Sequence, residues 1–237
     1  MIFNKGKITT DLSETKAVSD LNIKISHLPK GQYFAGQTKK QWLFLHHTAG
    51  WHNPFNTITQ WARDTRGEVA TEFVLGGQSV KGNDNTHDGV IAQAFPAGGW
   101  GWHLGTGKGT MHSNSVGIEV CNFGQLKDGK TYVNVEAAKD QIIELKQPFK
   151  GHKFWHNYSD KQLQILKELI LYIANRDGID VRKGLPEMIR QNGVSAFNFC
   201  NANYVSKNPG LWNHTNVLNG KVDMYPHPKL IDLLLSL

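Results

Sequence analysis

The sequence predicts an α/β fold, a single central mixed β-sheet flanked by helices, and three observations carry this. Short apolar runs such as "QWLFLHH" and "SVGIEVCNF" have the length and residue types of strands. They alternate along the chain with two stretches whose apolar residues recur at helical spacing, "NPFNTITQWARDTRG" and "YSDKQLQILKELILYIANRDG". The chain has 237 residues, 39% of them hydrophobic, which is enough to bury one large core. Strands alternating with helices on this scale give a sheet covered by helices.

Residues 1–40 read as an irregular lead-in with a short strand near 21–25, and a buried strand follows at 42–46. In the first helix Asn53 can cap, Pro54 suits the first turn, and Phe55, Ile58, Trp61 and Ala62 fall on one face. "TEFVLGG" and "VIAQAFP" read as two strands separated by a Gly-, Asn- and Asp-rich loop at 78–89. "SVGIEVCNF" is a further strand, with Gly117, Glu119 and Cys121 on one face and Val116, Ile118 and Val120 on the other. In the long helix Ser159 and Gln162 predict a capping box, Leu163, Leu166, Leu169 or Ile170, and Ile173 form the apolar stripe, and Gly178 suits the C-terminal end. "PKLIDLLLSL" is a short closing helix. Two stretches, about 125–157 and 183–209, read as insertions or long loops. No repeat or flexible linker divides the chain, so residues 1–237 are expected to form one domain.

Composition narrows the function classes. The net charge of +6 favours an anionic partner, but the basic residues are scattered without a run, which argues against nucleic acid. The longest apolar run is far short of a membrane span, so no membrane partner is expected. "MIFNKGKITTDLSETKAV" has no apolar core of a secretory signal, which points to synthesis in the cytoplasm. With two cysteines, Cys121 and Cys200, no disulfide framework holds the fold.

Four segments carry residues able to do chemistry. "LFLHHTAG" ends an apolar strand in His46 and His47; successive strand side chains point to opposite faces, so one of the two faces a given site. A histidine beside an apolar strand is otherwise a packed residue. "GLWNHTNVLNGKVD" supplies His214, Lys221 and Asp223. His46, His214 and Asp223 would make the three-ligand set of a catalytic zinc site with one position left open. Lys221 shares a face with Asp223 if the segment is extended, and there a cation can stabilise an oxyanion. The other reading is a loop histidine and a solvated ion pair. Glu119 is either a general base overlooking a cleft or an exposed polar position on a half-solvated strand. "GGWGWHLGTG" places Trp102 and His103 either on a groove-lining loop or in a turn against the core.

Together these pieces resemble, in order, the zinc-dependent N-acetylmuramoyl-L-alanine amidases of the type 2 amidase and peptidoglycan recognition protein superfamily. "FLHHTAG", "TEFVLGG" with "DGVIAQAFP", "GWHLG", "NSVGIEV", "YSDKQLQILKELI" and "NHTNVLNGKVD" are each similar to a segment of that family, covering about residues 40–125 and 157–237. The resemblance implies the family's fold with loop insertions, Zn²⁺ held by His46, His214 and Asp223, Glu119 activating water, and Lys221 steadying the tetrahedral oxyanion. It implies that His103, Trp102, Thr71 and Glu72 face the substrate, with His103 binding sugar or peptide. Many members carry Tyr where this chain has Thr71; Glu119 then takes the role of base, with the neighbouring Glu72 as its rival. The segment before Asp223 reads Asn-Gly-Lys instead of Pro-Gly-Arg-Lys, and neither cysteine stands where some members place a third ligand.

The activity so implied is hydrolysis of the amide between N-acetylmuramic acid and L-alanine by a monomer, in the manner of a phage endolysin released to reach the cell wall. The rival readings are a recognition module that binds peptidoglycan without cutting it and an amidase acting on soluble muropeptides.

Overall fold

The computed structural model describes residues 21–237. The N-terminal stretch read for a targeting signal lies outside the described residues. Strands are β1 (Ile23–Ile25), β2 (Trp42–His47), β3 (Phe73–Leu75), β4 (Ile91–Gln93), β5 (Ser115–Val120), β6 (Gln125–Leu126), β7 (Ile142–Phe149), β8 (His152–His156) and β9 (Gly210–Asn213). Helices are α1 (Pro54–Trp61), α2 (Gly109–Ser113), α3 (Asp160–Asp177), α4 (Leu185–Asn192), α5 (Ala202–Val205) and α6 (Pro228–Leu235).

Six strands form the central sheet in the order β1-β4-β3-β5-β2-β9, and only the β3–β4 pair is antiparallel. All six residues of β2 are buried, as a strand enclosed by parallel neighbours on both edges requires. Register sorts the faces. Trp42, Phe44 and His46 pair with Ser115, Gly117 and Glu119, while Leu43, Leu45 and His47 pair with Val116, Ile118 and Val120. Phe73 pairs with Ile118 and meets Tyr172 and Arg176 of α3, so the aliphatic face of β5 is the α3 face. There Leu163, Leu166, Leu169, Ile170 and Ile173 complete the main core. On the other face Ile58 of α1 packs with Val74, Ala92 and Cys121.

The helix ends follow their sequence signals. Asn53 accepts from the Phe55 amide, and Ser159 accepts from the Gln162 amide. Gly178 ends α3 with φ of 71°, a left-handed conformation that suits glycine. The predicted capping box is half formed. Gln162 sends its side-chain amide to the Gly76 and Cys121 carbonyls, tying α3 to the sheet instead of to its own N-terminus.

The two stretches read as long loops are ordered. Residues 125–157 contain a separate antiparallel sheet, β6-β8-β7. Its longest strand buries only Leu145 and Phe149, four residues apart, so the two-residue alternation of a half-buried strand is missing from its sequence. Residues 183–209 hold α4, a 3-10 turn and α5.

His156 of β8 is 2% exposed, and its Nδ1 accepts from the Phe123 amide. Burial, aided by His47 and His52 nearby, lowers its pKa to about 3. The unfolded chain binds a proton near pH 6.5 that the folded chain refuses, so stability falls as pH drops from 6.5 toward that value. We expect His156 alone to remove roughly 2 kcal/mol between pH 7 and pH 5. Urea denaturation of wild type and His156→Gln at both pH values checks this; an unchanged pH dependence in the variant would contradict it.

Candidate active site

Parallel pairing of β2 with β5 and β9 brings three chain segments to the same end of the sheet. His46 ends β2 beside Glu119, and His214 immediately follows β9, whose Asn213 pairs with Leu45. The carboxyl ends of parallel strands are where open α/β sheets place their ligands. Asp223 reaches the same point because Asn213 holds the next residue: its side-chain amide donates to the Met224 carbonyl at 2.7 Å and accepts from the Met224 amide at 3.2 Å. Asn216 anchors the turn between them by donating to the Ala196 and Phe199 carbonyls. Neither asparagine stood out in the sequence; the one available signal is that both flank His214 in "NHTN".

The structure gathers His46, His214 and Asp223 into one buried cluster. His46 Nδ1 and His214 Nδ1 lie 2.9 Å apart, Asp223 Oδ2 is 2.9 Å from the latter and 3.5 Å from the former. Two donors on one tetrahedral ion at about 2.0–2.1 Å each are separated by roughly 3.3 Å, so the triangle has the size of one face of such a site. His47 lies elsewhere: its ring packs against Gly124, where an added Cβ would come within 2.7 Å of Nε2.

Hydrogen bonds fix which nitrogens carry protons. Ser115 donates its hydroxyl to the His112 carbonyl, so its oxygen accepts from His103 Nε2–H at 2.8 Å. His103 Nδ1 is then a lone pair and accepts from His46 Nε2–H at 2.9 Å. His214 Nε2–H donates to the Leu104 carbonyl at 3.0 Å. Burial, and the imidazoles around them, lower the His46 pKa to about 4 and the His103 pKa well below its ordinary value, so both rings are neutral. His46 Nδ1 therefore presents a lone pair to the cluster, and His214, engaged through Nε2, turns its Nδ1 to the same point. Burial by itself would raise the Asp223 carboxyl, but the two histidines beside it outweigh that and hold it well below the usual range, as an anion. Two imidazole nitrogens and a carboxylate oxygen this close together can share one cation. Two imidazoles and a carboxylate, each imidazole with its other N–H engaged, fit a zinc-type ion.

A cleft of about 360 Å³ opens beside the cluster, lined by Thr71, Trp102, His103, Glu119, Lys221 and Asp223 among others. Glu119 is part-exposed, but its Oε2 is enclosed and has no partner among the described residues. Burial first, and the Asp223 charge second, raise its pKa well above the ordinary value against the opposing pull of Lys221. Gly117 is required here because a Cβ would meet Thr71 Cγ2 at 2.6 Å and His103 Nδ1 at 3.1 Å.

One sequence expectation changes. Glu72 is not in the cleft. It is 1% exposed, accepts from Arg176 Nη2 at 2.8 Å and from Gln93 at 2.9 Å, and points away from its neighbour Thr71 toward the end of α3. A carboxylate neutralised by a guanidinium and sealed from the cleft cannot serve as its base. His103 lines the cleft, and its ring nitrogens pair with His46 and Ser115, so it also buttresses His46.

A family model described as N-acetylmuramoyl-L-alanine amidase matches residues 36–223. No curated protein matches the chain. The PlyG catalytic domain aligns with 91% of this chain and 90% of its own at 13% identity, with a TM-score of 0.50, a likeness of fold. The Staphylococcus aureus hydrolase AmiA, solved with its ligand, aligns with 99% of this chain and 90% of its own at 12% identity and a TM-score of 0.46.

The relay and the ion pair separate by mutation. His103→Ala is expected to weaken Zn²⁺ binding by roughly 10- to 100-fold, read by competition with a chelating dye. Glu72→Gln is expected to lower stability by roughly 3 kcal/mol through loss of its pairing with Arg176, with Zn²⁺ affinity unchanged. Equal Zn²⁺ affinity in His103→Ala and wild type would refute the buttress.

Proposed function

The chain belongs to the N-acetylmuramoyl-L-alanine amidase family, and from that premise we propose that it is a zinc-dependent amidase that cuts the bond between N-acetylmuramic acid and L-alanine in peptidoglycan. The observation that carries the proposal is the buried cluster of His46 Nδ1, His214 Nδ1 and Asp223 Oδ2, three close-set ligand atoms beside a cleft that also holds Glu119 and Lys221. An endolysin role goes with this reading: a net charge of +6 suits a wall of anionic polymers.

His46, His214 and Asp223 would hold the ion, which supplies Lewis acidity and makes water acidic enough to lose a proton near neutral pH. Glu119 takes the proton from water as the oxygen attacks the lactyl carbonyl. Its unpartnered Oε2 is an acceptor free for that proton, and its raised pKa brings it closer to the pH at which proton transfer is efficient. The Lys221 ammonium stabilises negative charge on the carbonyl oxygen. Glu119 then returns the proton to the leaving alanine nitrogen, and the amide bond breaks to a glycan carboxylate and a peptide amine. Trp102 and Thr71 shape the wall of the cleft at this point.

Glu119→Gln is expected to cut release of peptide amines from purified sacculi by at least about 100-fold with zinc retained, while His214→Ala loses both. The wild-type rate is expected to fall on the acid side at a pH above the ordinary carboxylate range, because protonating Glu119 removes the base and its pKa is raised. Binding of sacculi without release, and no zinc in the wild type, would make the protein a recognition module. Release confined to soluble muropeptides would move the substrate.

A further inference from the structure

Glu119 lines two adjoining cavities. Thr48, Ala49 and Trp61 line both as well, so the two are halves of one groove. The halves differ in chemistry. The half beside the metal-ligand cluster carries Arg66, Lys221 and Asp223 besides Glu119. The other, about 440 Å³, has Glu119 as its only charged lining residue among the described residues. Its walls are the rings of Trp51, Phe123 and Tyr132 and the hydroxyls and amides of Asn56, Thr59 and Gln60.

The rings are arranged as a run. Trp51 meets Phe123 edge-on at 5.1 Å, and Phe123 meets Tyr132 at 6.2 Å. Lys81 lies 5.8 Å from the centre of the Trp51 ring without lining the cavity. Tyr132 comes from the segment between β6 and β7, and its hydroxyl donates to the Ala49 carbonyl at 2.9 Å, holding that segment across the loop that follows β2. Trp51 is 39% exposed and Tyr132 68% exposed, so both leave ring surface open.

We propose that this second half is a glycan-binding subsite built in part by the stretch 125–157, holding the sugars that adjoin the residue whose amide is cut; the proposal rests on the amidase reading. Sugar rings present C–H faces that pack on aromatic rings and neutral hydroxyls that pair with amide and hydroxyl side chains. A subsite whose one charged residue is the shared Glu119 suits neutral sugars. The carboxylates of a stem peptide match the half that holds Arg66 and Lys221.

The probe is the peptide-free tetrasaccharide of alternating N-acetylglucosamine and N-acetylmuramic acid, the product side of the reaction, titrated by calorimetry into the zinc-loaded protein. Wild type is expected to bind it, and Trp51→Ala and Tyr132→Ala to weaken binding by about fivefold or more each. In parallel, kcat/KM is compared on a disaccharide-peptide and a monosaccharide-peptide with the same stem peptide. The wild-type preference for the longer glycan is expected to shrink by a similar factor in both variants. No binding of the tetrasaccharide, or binding unchanged in both variants, overturns the proposal. So does a loss that tracks stem-peptide length, which would make this half a peptide site. Tetrasaccharide binding that depends on both rings, with no turnover of any substrate, would leave the subsite standing and refute the amidase reading.

Discussion

The cleft depends on the parallel ladder that β2 makes with β5 on one side and β9 on the other. That ladder sets His46 beside Glu119 and carries the chain to His214 one residue past Asn213. A slip of one residue in β2 would bring His47 to the cleft face and bury His46 against the aliphatic layer. The register is held by burial on both faces: Leu43, Leu45, Val116 and Ile118 cannot exchange places with the cleft-facing set without exposing the core. Chemistry at one end of the sheet is thus enforced by packing along its whole length.

The second constraint is electrostatic. The histidines of the cluster are oriented by partners on their far sides as well as by the carboxylate between them. The relay from the His112 carbonyl through Ser115 and His103 aims one lone pair, and the Leu104 carbonyl aims the other. Loop 103–106 therefore acts on both histidines at once. His112 keeps that loop in place, accepting from the His103 amide at 3.1 Å and donating to the Thr106 carbonyl at 3.1 Å. Such an arrangement presents its ligand atoms to one point, the geometry a bound cation would use.

Much of this was legible in the sequence because it obeys short-range rules. The apolar run of β2, the Asn53 and Ser159 caps and the stripe of α3 are local patterns, and the structure realises them. The order of the motifs, read through the family resemblance, named the three residues that the sheet then gathers at one point. What was hidden depends on partners distant in sequence. Glu72 and Glu119 are both glutamates in strand-like segments, but Arg176 lies 104 residues beyond Glu72, and nothing near Glu72 announces it. The chain is also irregular before β3: Thr71 bonds the Phe73 carbonyl and turns to the cleft while Glu72 turns away, which simple alternation does not give. The second sheet was hidden because its buried residues are too sparse to show a period. The role of His103 depends on tautomers that only a hydrogen-bond network can assign.

A site of this kind weakens the fold that holds it. Glu119 keeps a buried oxygen without a partner, and buried imidazoles stay neutral where water would protonate them at mildly acid pH. The compensation lies where no chemistry occurs: a core of large side chains on the α3 face, the doubly bonded Glu72–Arg176 pair, and Gln162 tying helix to sheet. The small second sheet extends this division. Its strands bury Leu145, Phe149 and Trp155 in the main core, while the segment between β6 and β7 rests on a smaller cluster of Val80, Phe123, Leu126 and Ala137 and reaches the groove through Tyr132 and Val133. Tyr132 and Val133 are exposed and belong to none of these clusters, so they can vary without disturbing the ladder that sets His46 beside Glu119.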